Sequence, residues 1–274
     1  RLAKVRFETN SRGLRDREYA LEKPAGAFRV AVIGDSFTMP LGVEIEDAYH
    51  SLLEDLMNRL PGGQVYEFIN FGVAGYELPQ YIAMIEHRAL EYHPDLILIG
   101  FSNNDYIYFP DLAKNLMKPY EVKATTHPFF ELHVLPWAAE GLPRLLHPGQ
   151  RLNGPPAEDP PLHPTFRGHL ETSFAKLGEL SRRTGVPILV AFIVHYRRGL
   201  SHVVEALAEI TAKNDIGFVD ASVPFPRDVD PAYILYRADI HPNRAANRLF
   251  ADVLFQCMIS GPCRAVAGRG TPPP

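Results

Sequence analysis

Val30-Ala31-Val32-Ile33-Gly34-Asp35-Ser36-Phe37 sets an apolar run directly against a Gly-Asp-Ser turn. An uninterrupted run of small and branched apolar residues reads as a strand buried on both faces, the habit of parallel sheets covered by helices. Ser36 is then a hydroxyl presented where a buried strand breaks into a turn. In a doubly wound sheet the ligand crevice lies outside the carboxyl ends of the strands, so residues just past several strands converge there.

Two later runs repeat the pattern. Val65 to Ile69 leads into Asn70-Phe71-Gly72-Val73-Ala74-Gly75, and Leu96 to Ile99 leads into Gly100-Phe101-Ser102-Asn103-Asn104-Asp105. Between the first two, Glu46 to Leu60 places Tyr49, Leu52, Leu53, Leu56, Met57 and Leu60 on one helical face. Its acidic amino end complements the helix dipole, and Pro61-Gly62-Gly63 stops it. Helices are predicted again over Pro79 to Tyr92, Gly168 to Arg183, Ser201 to Lys213 and Asn243 to Met258, with strands at Ile188 to Val194 and Gly217 to Val219. Apolar strands alternating with amphipathic helices predict an α/β fold whose parallel sheet is covered on both faces.

The chain has 274 residues, 46% hydrophobic and 22% charged, enough for one large core. One domain is expected at 28–259, preceded by a charged, weakly periodic arm at 1–27 and followed by a tail at 260–274. Periodicity dissolves at about 106–166, where Tyr106, Tyr108, Phe109, Tyr120, Phe129, Phe130 and Trp137 precede a proline-rich stretch. Long irregular segments of this kind are usually functional, so an insertion forming a lid or acyl-binding wall is expected. With 28 basic against 32 acidic residues and no long basic run, the chain does not read as nucleic-acid binding. No stretch reaches the roughly 18 to 20 apolar residues that cross a bilayer. The sequence opens at Arg1 without an initiator Met, so an anchor or export signal further upstream is expected. Cys257 and Cys263 flank a Gly-Pro turn that would let them pair, which favours export, and two free or buried thiols fit the sequence equally well.

Serine becomes a useful nucleophile when a base removes its proton, and the transition state then needs donors aimed at the developing oxyanion. His241, in Asp239-Ile240-His241-Pro242-Asn243, is the candidate base for Ser36, with Asp239 to orient it. The backbone N–H groups of Ser36 and Gly75 and the side-chain amide of Asn104 are the candidate oxyanion donors. Gly75 suits that task because a residue without a Cβ admits substrate close to the backbone. His195, just past the strand at 188–194, and Tyr106 are candidate substrate contacts. No spacing of His, Cys, Asp or Glu resembles a zinc motif, and no metal or other cofactor is expected.

In order and approximate spacing, Gly34-Asp35-Ser36, Asn70 to Gly75, Asn104-Asp105 and Asp239 to His241 resemble the four blocks of the GDSL or SGNH hydrolases, bacterial type. The resemblance covers about residues 28–105 and 215–259. It implies a flavodoxin-like three-layer α/β/α fold and cleavage of acyl or acetyl esters of a lipid, glycan or small molecule; some relatives transfer acyl groups instead. Asn10 to Asp16 also looks like the arm ahead of the first block in bacterial members, many of them exported or membrane-anchored. One residue separates Asp239 from His241 where the family usually has two, so Asp230 and Asp220 stand as alternative acids. The expectation is a serine esterase working through an acyl-enzyme. The alternatives are an O-acyltransferase with the same triad, or a non-catalytic domain binding a glycan or a partner protein.

Overall fold

The structure, a computed structural model, describes residues 5–102, 105, 164–236, 239–261 and 263. Five parallel strands form the central sheet: β1 (Ala27–Gly34), β2 (Val65–Asn70), β3 (Leu96–Phe101), β4 (Ile188–Phe192) and β5 (Gly217–Asp220). Their order is β2-β1-β3-β4-β5, so the chain reverses its direction of winding beside β1. That switch point is where a parallel sheet opens its ligand crevice.

Side chains alternate between two cores, as the pleat requires. Ala31, Ile33, Ile97, Ile99, Val190 and Phe192 face α2 (Leu78–His87), α3 (Pro164–Thr184) and α4 (Ser201–Lys213). Val30, Val32, Leu96, Leu98, Leu189 and Ala191 face α1 (Tyr49–Asn58) and α5 (Arg244–Ser260). The three-layer α/β/α architecture expected from the sequence is therefore present. None of the described helices is long and apolar enough to cross a membrane.

Several boundaries differ from the periodicity. The helix expected over Glu46 to Leu60 is a 3-10 turn at Ile45–Asp47, an extended Ala48 (φ −69°, ψ 146°), and then α1. The segment expected at Pro79 to Tyr92 breaks at Arg88 (φ −136°) into α2 and a 3-10 turn, Ala89–Tyr92. Apolar spacing alone does not separate a 3-10 turn from a continuing α-helix, because i and i+3 share a face in both. α2 itself opens with a capping box between Glu77 and Gln80. α3 starts at Pro164, earlier than Gly168, because Phe166 joins the same buried face as Leu170 and Phe174. Apart from residues 164–166, the expected insertion lies outside the described residues, as do Asn104 and Tyr106.

A small antiparallel pair, β6 (Ile234–Tyr236) and β7 (Asp239–Pro242), was not foreseen. It lies ahead of α5, whose Asn243 caps the helix through the N–H groups of Ala245 and Ala246. A disulfide joins Cys257 in α5 to Cys263.

Candidate active site

The turn after β1 is shaped by Asp35, whose Oδ1 accepts the Phe37 N–H at 2.9 Å while its backbone carbonyl accepts the Met39 N–H at 2.8 Å. Such an Asx turn bends the chain at Ser36. Thr38 then plugs into the top of the sheet, fully buried, with its hydroxyl 3.0 Å from that of Tyr49. Its socket is walled by Gly34 of β1, Gly100 of β3 and Gly72 after β2. A Cβ on Gly34 would stand 2.0 Å from Thr38 Oγ1, one on Gly100 2.5 Å from the same atom, and one on Gly72 2.7 Å from the Met39 nitrogen. Three strand ends therefore use glycine so that the serine turn can sit directly on the sheet.

The amino-terminal arm completes this support. The buried guanidinium of Arg15 donates to the carbonyls of Met39 (2.8 Å), Val43 (2.7 Å) and Pro40, which closes the outer side of the turn. Asp16 accepts the Asn70 N–H at 2.8 Å, and Asn70 returns a bond from its amide to the Arg15 carbonyl at 3.1 Å. Asn70 Oδ1 in turn accepts the Gly72 N–H at 2.8 Å. Further along that loop Gly75 adopts φ 77°, a left-handed conformation that favours glycine, and the space where a Cβ would stand is open. The N–H groups of Ser36 and Gly75 donate to no acceptor among the described residues.

β7 brings His241 to the serine. Its Nε2 lies 2.9 Å from Ser36 Oγ, and its Nδ1 lies 2.6 Å from Asp239 Oδ1. The Phe37 ring packs against the imidazole with centroids 5.5 Å apart. Asn247 of α5 anchors the neighbourhood, donating to the Pro242 carbonyl and accepting the Tyr49 N–H. For Asp239, burial favours the neutral form, but hydrogen bonds from the His241 ring and backbone and from the Tyr236 hydroxyl outweigh it. Its carboxyl is held below the usual range. The alternative acids are engaged elsewhere: Asp220 with the Ser222 N–H and hydroxyl, Asp230 with the Ala232 N–H.

His195 stands differently from its expected role. It is fully buried against Phe37, 5.9 Å between ring centroids, with neither ring nitrogen hydrogen-bonded among the described residues. Burial, and then the proximity of His241, lower it to about 4, so it stays neutral at ordinary pH. Of the following arginines, Arg198 pairs with Asp228, while Arg197 and Arg227 border a cavity of about 510 Å³ beyond β4 and β5. Glu205, Asp220 and Ser222 add to its polar wall. Asn104 and Tyr106 lie outside the described residues. Among the described residues, no three His, Cys, Asp or Glu side chains gather as a metal ion requires.

Sequence reasoning missed Thr38, Tyr236, Asn247 and the pair Arg15-Asp16. Glycines at 34, 72 and 100, each at a strand end, were the readable sign of the Thr38 socket. Tyr236 and Asn247 carry no local motif and become visible only when β6 and α5 are placed.

No family model matches the chain, and no curated protein matches it. Solved structures do share its fold. TesA is 16% identical, with 84% of this chain and 98% of that one covered and a TM-score of 0.51. A catalytic mutant of Axe2, an acetylxylan esterase from Geobacillus stearothermophilus, is 15% identical over 84% and 93%, with a TM-score of 0.52. A two-domain esterase active on acetylated mannans is 16% identical over 91% of this chain and 52% of that one, with a TM-score of 0.53. With this strand order, these helical layers and these structural neighbours, the chain has the three-layer α/β/α fold that these esterase structures share.

Proposed function

We propose that the chain is a metal-free serine esterase of the SGNH type, with residues 28–259 as its catalytic domain, interrupted by an insertion at about 106–166. The observation that carries this reading is the continuous hydrogen-bonded line Ser36 Oγ, His241 Nε2, His241 Nδ1, Asp239 Oδ1. His241 takes the Ser36 proton as Oγ bonds to the ester carbonyl carbon. The resulting oxyanion lies between the N–H groups of Ser36 and Gly75, with the Asn104 amide as third donor. Collapse breaks the bond to the alcohol, and His241 returns its proton to the departing oxygen. Water then attacks the acyl-enzyme, giving its proton to His241, which passes it to Ser36 as the carboxylic acid leaves. Asp239 stabilises the imidazolium in both steps.

Two neighbours of the fold, one an acetylxylan esterase and one active on acetylated mannans, support a glycan or similar small polar ester as substrate. The disulfide supports an exported protein.

The test is hydrolysis of p-nitrophenyl esters from acetate to long acyl chains, beside acetylated oligosaccharides, with Ser36→Ala as control and acceptor alcohols added in parallel. Activity on short or glycan-borne acyl groups that disappears in the variant supports the reading. Product formed only with an acceptor replaces it with an O-acyltransferase. A folded wild type without activity on any of these leaves a binding domain.

A further inference from the structure

Beneath the turn that carries Ser36, two buried carboxyl groups meet at one residue. Ser102, which follows β3, donates its hydroxyl to Asp35 Oδ2 at 2.8 Å and its backbone N–H to Asp105 Oδ2 at 2.8 Å. Asp35 holds the serine turn through the Phe37 N–H. Asp105 Oδ2 also accepts the Tyr81 hydroxyl of α2 at 3.2 Å. Asp35 and Ser102 are fully buried, and Asp105 is 5% exposed.

The two oxygens of Asp105 are used unequally. Oδ2 takes two donors, whereas Oδ1 is buried without a hydrogen-bond partner among the described residues. An ionised carboxylate spreads its charge over both oxygens, and leaving one of them dry and unpaired is costly. A protonated carboxyl lowers the cost: Oδ2 is the carbonyl oxygen that accepts, Oδ1 carries the hydrogen, and one unpaired hydroxyl is cheaper to bury than an ionic charge. The groups around it agree. Asp35 at the end of β1 and Glu77 at the head of α2 are acidic, and Tyr81 is a neutral phenol. Burial first, and the charge of Asp35 second, push the Asp105 carboxyl well above the ordinary range.

We propose that Asp105 is a positioning residue that works as an uncharged carboxylic acid, tying Ser102, and with it the chain leaving β3, to the turn that carries Ser36. This rests on the esterase reading, since it explains how that site keeps its shape. Loss of the Oδ1 proton at high pH sets two carboxylates against each other around Ser102, and the strand-end loops separate. Catalysis depends on placement to a fraction of an ångström, so kcat falls on the alkaline side while KM changes little.

The experiment compares wild type, Asp105→Asn and Asp105→Ala in three ways: kcat and KM on p-nitrophenyl acetate across pH, the rate at which a fluorophosphonate labels Ser36, and the infrared spectrum at neutral pH. Asparagine keeps an acceptor for Ser102 and Tyr81 and places an uncharged NH2 where the acid has its hydroxyl. Its kcat is expected near wild type at neutral pH, with the alkaline fall removed. Alanine strands both donors, and kcat and labelling are expected to drop about 100-fold with KM held. Subtracting the spectrum of either variant from that of the wild type is expected to leave the carbonyl band of a buried protonated carboxyl, because the contribution of Asp16, raised to about 7, is common to all three proteins and cancels. Absence of that band, an asparagine variant as slow as alanine, or an unchanged alkaline fall in the asparagine variant overturns the proposal. A wild type that shows the band yet neither hydrolyses esters nor labels at Ser36 refutes the esterase reading and leaves the protonated Asp105 standing.

Discussion

Asp239 Oδ1 accepts from His241 twice, from the ring Nδ1 at 2.6 Å and from the backbone N–H at 3.0 Å. The single intervening residue makes this possible, because an Asx-type turn brings a carboxylate back onto the N–H two residues ahead. The short spacing therefore fixes both the acid and the histidine backbone in one contact. Asp239→Asn loses the charge that stabilises the imidazolium and presents an amide to a ring N–H. The expected result is a fall in kcat of roughly 10³ to 10⁴-fold with little change in KM. Asp220→Asn and Asp230→Asn measured alongside should stay near wild type; a comparable loss in either would move the acid elsewhere.

Asp16 links the arm to the loop of Asn70, accepting the N–H groups of Asn70 and Arg17, each at 2.8 Å. Burial raises its carboxyl to about 7, against the pull of those two N–H bonds and of the Arg17 charge. The unfolded chain releases this proton near pH 4, so between about 4 and 7 the folded state holds a proton that the unfolded state does not. The contribution is full below that window and lost as pH rises through it. Urea unfolding at about pH 5 and about pH 7.5 should show wild type losing stability relative to Asp16→Asn over that interval. An equal difference between the two proteins at both pH values would refute the shift.

Much of this was legible beforehand. The runs at 30–33, 96–99 and 188–194 are apolar at every position because both sheet faces are covered there, whereas the edge strand at 65–69 carries Glu67, which pairs with the buried Arg29. The residues after them converge because parallel strands end on one edge, which is how Ser36, the Asn70 loop and His195 are placed near one another from sequence alone. What was not legible depends on partners remote in the chain. Ile234 and Tyr236 give no periodicity in three residues, yet their pairing with β7 brings a phenol to Asp239. His195 reads as a rim residue, but it is fully buried, with its ring packed against Phe37. Arg15 looks like one more charge in a charged arm, although its guanidinium is buried on three carbonyls of the serine loop.

The Cys257–Cys263 link spans a separation of six residues at the end of α5, on the outer layer and away from β7. A short loop constrains the unfolded chain modestly, and the expected contribution is about 2 kcal/mol. Dithiothreitol should therefore lower the unfolding midpoint of the wild type while leaving that of a Cys257→Ser, Cys263→Ser protein unchanged. Ester hydrolysis at temperatures well below the midpoint should be the same in both. A wild type insensitive to reductant would mean that the link adds nothing to stability.

The Thr38 socket makes the sharpest steric prediction. Gly34→Ala would place a methyl 2.0 Å from Thr38 Oγ1 and 2.7 Å from its Cβ, and also 3.0 Å from the Gly100 carbonyl. Thr38 is buried beneath the serine turn and cannot swing away without lifting Ser36. Overpacking of this kind costs about 1 to 3 kcal/mol, and here it should also reduce kcat because the nucleophile is displaced from His241. Thr38→Ala alone removes the hydroxyl shared with Tyr49 and is expected to cost less. Combined with Gly34→Ala it clears the nearest clash, so the double variant should be more stable and more active than the two single effects added together. Strict additivity in both readouts would show that Gly34 does not meet Thr38 in the folded protein, and the turn carrying Ser36 would then be seated by the Arg15 contacts instead.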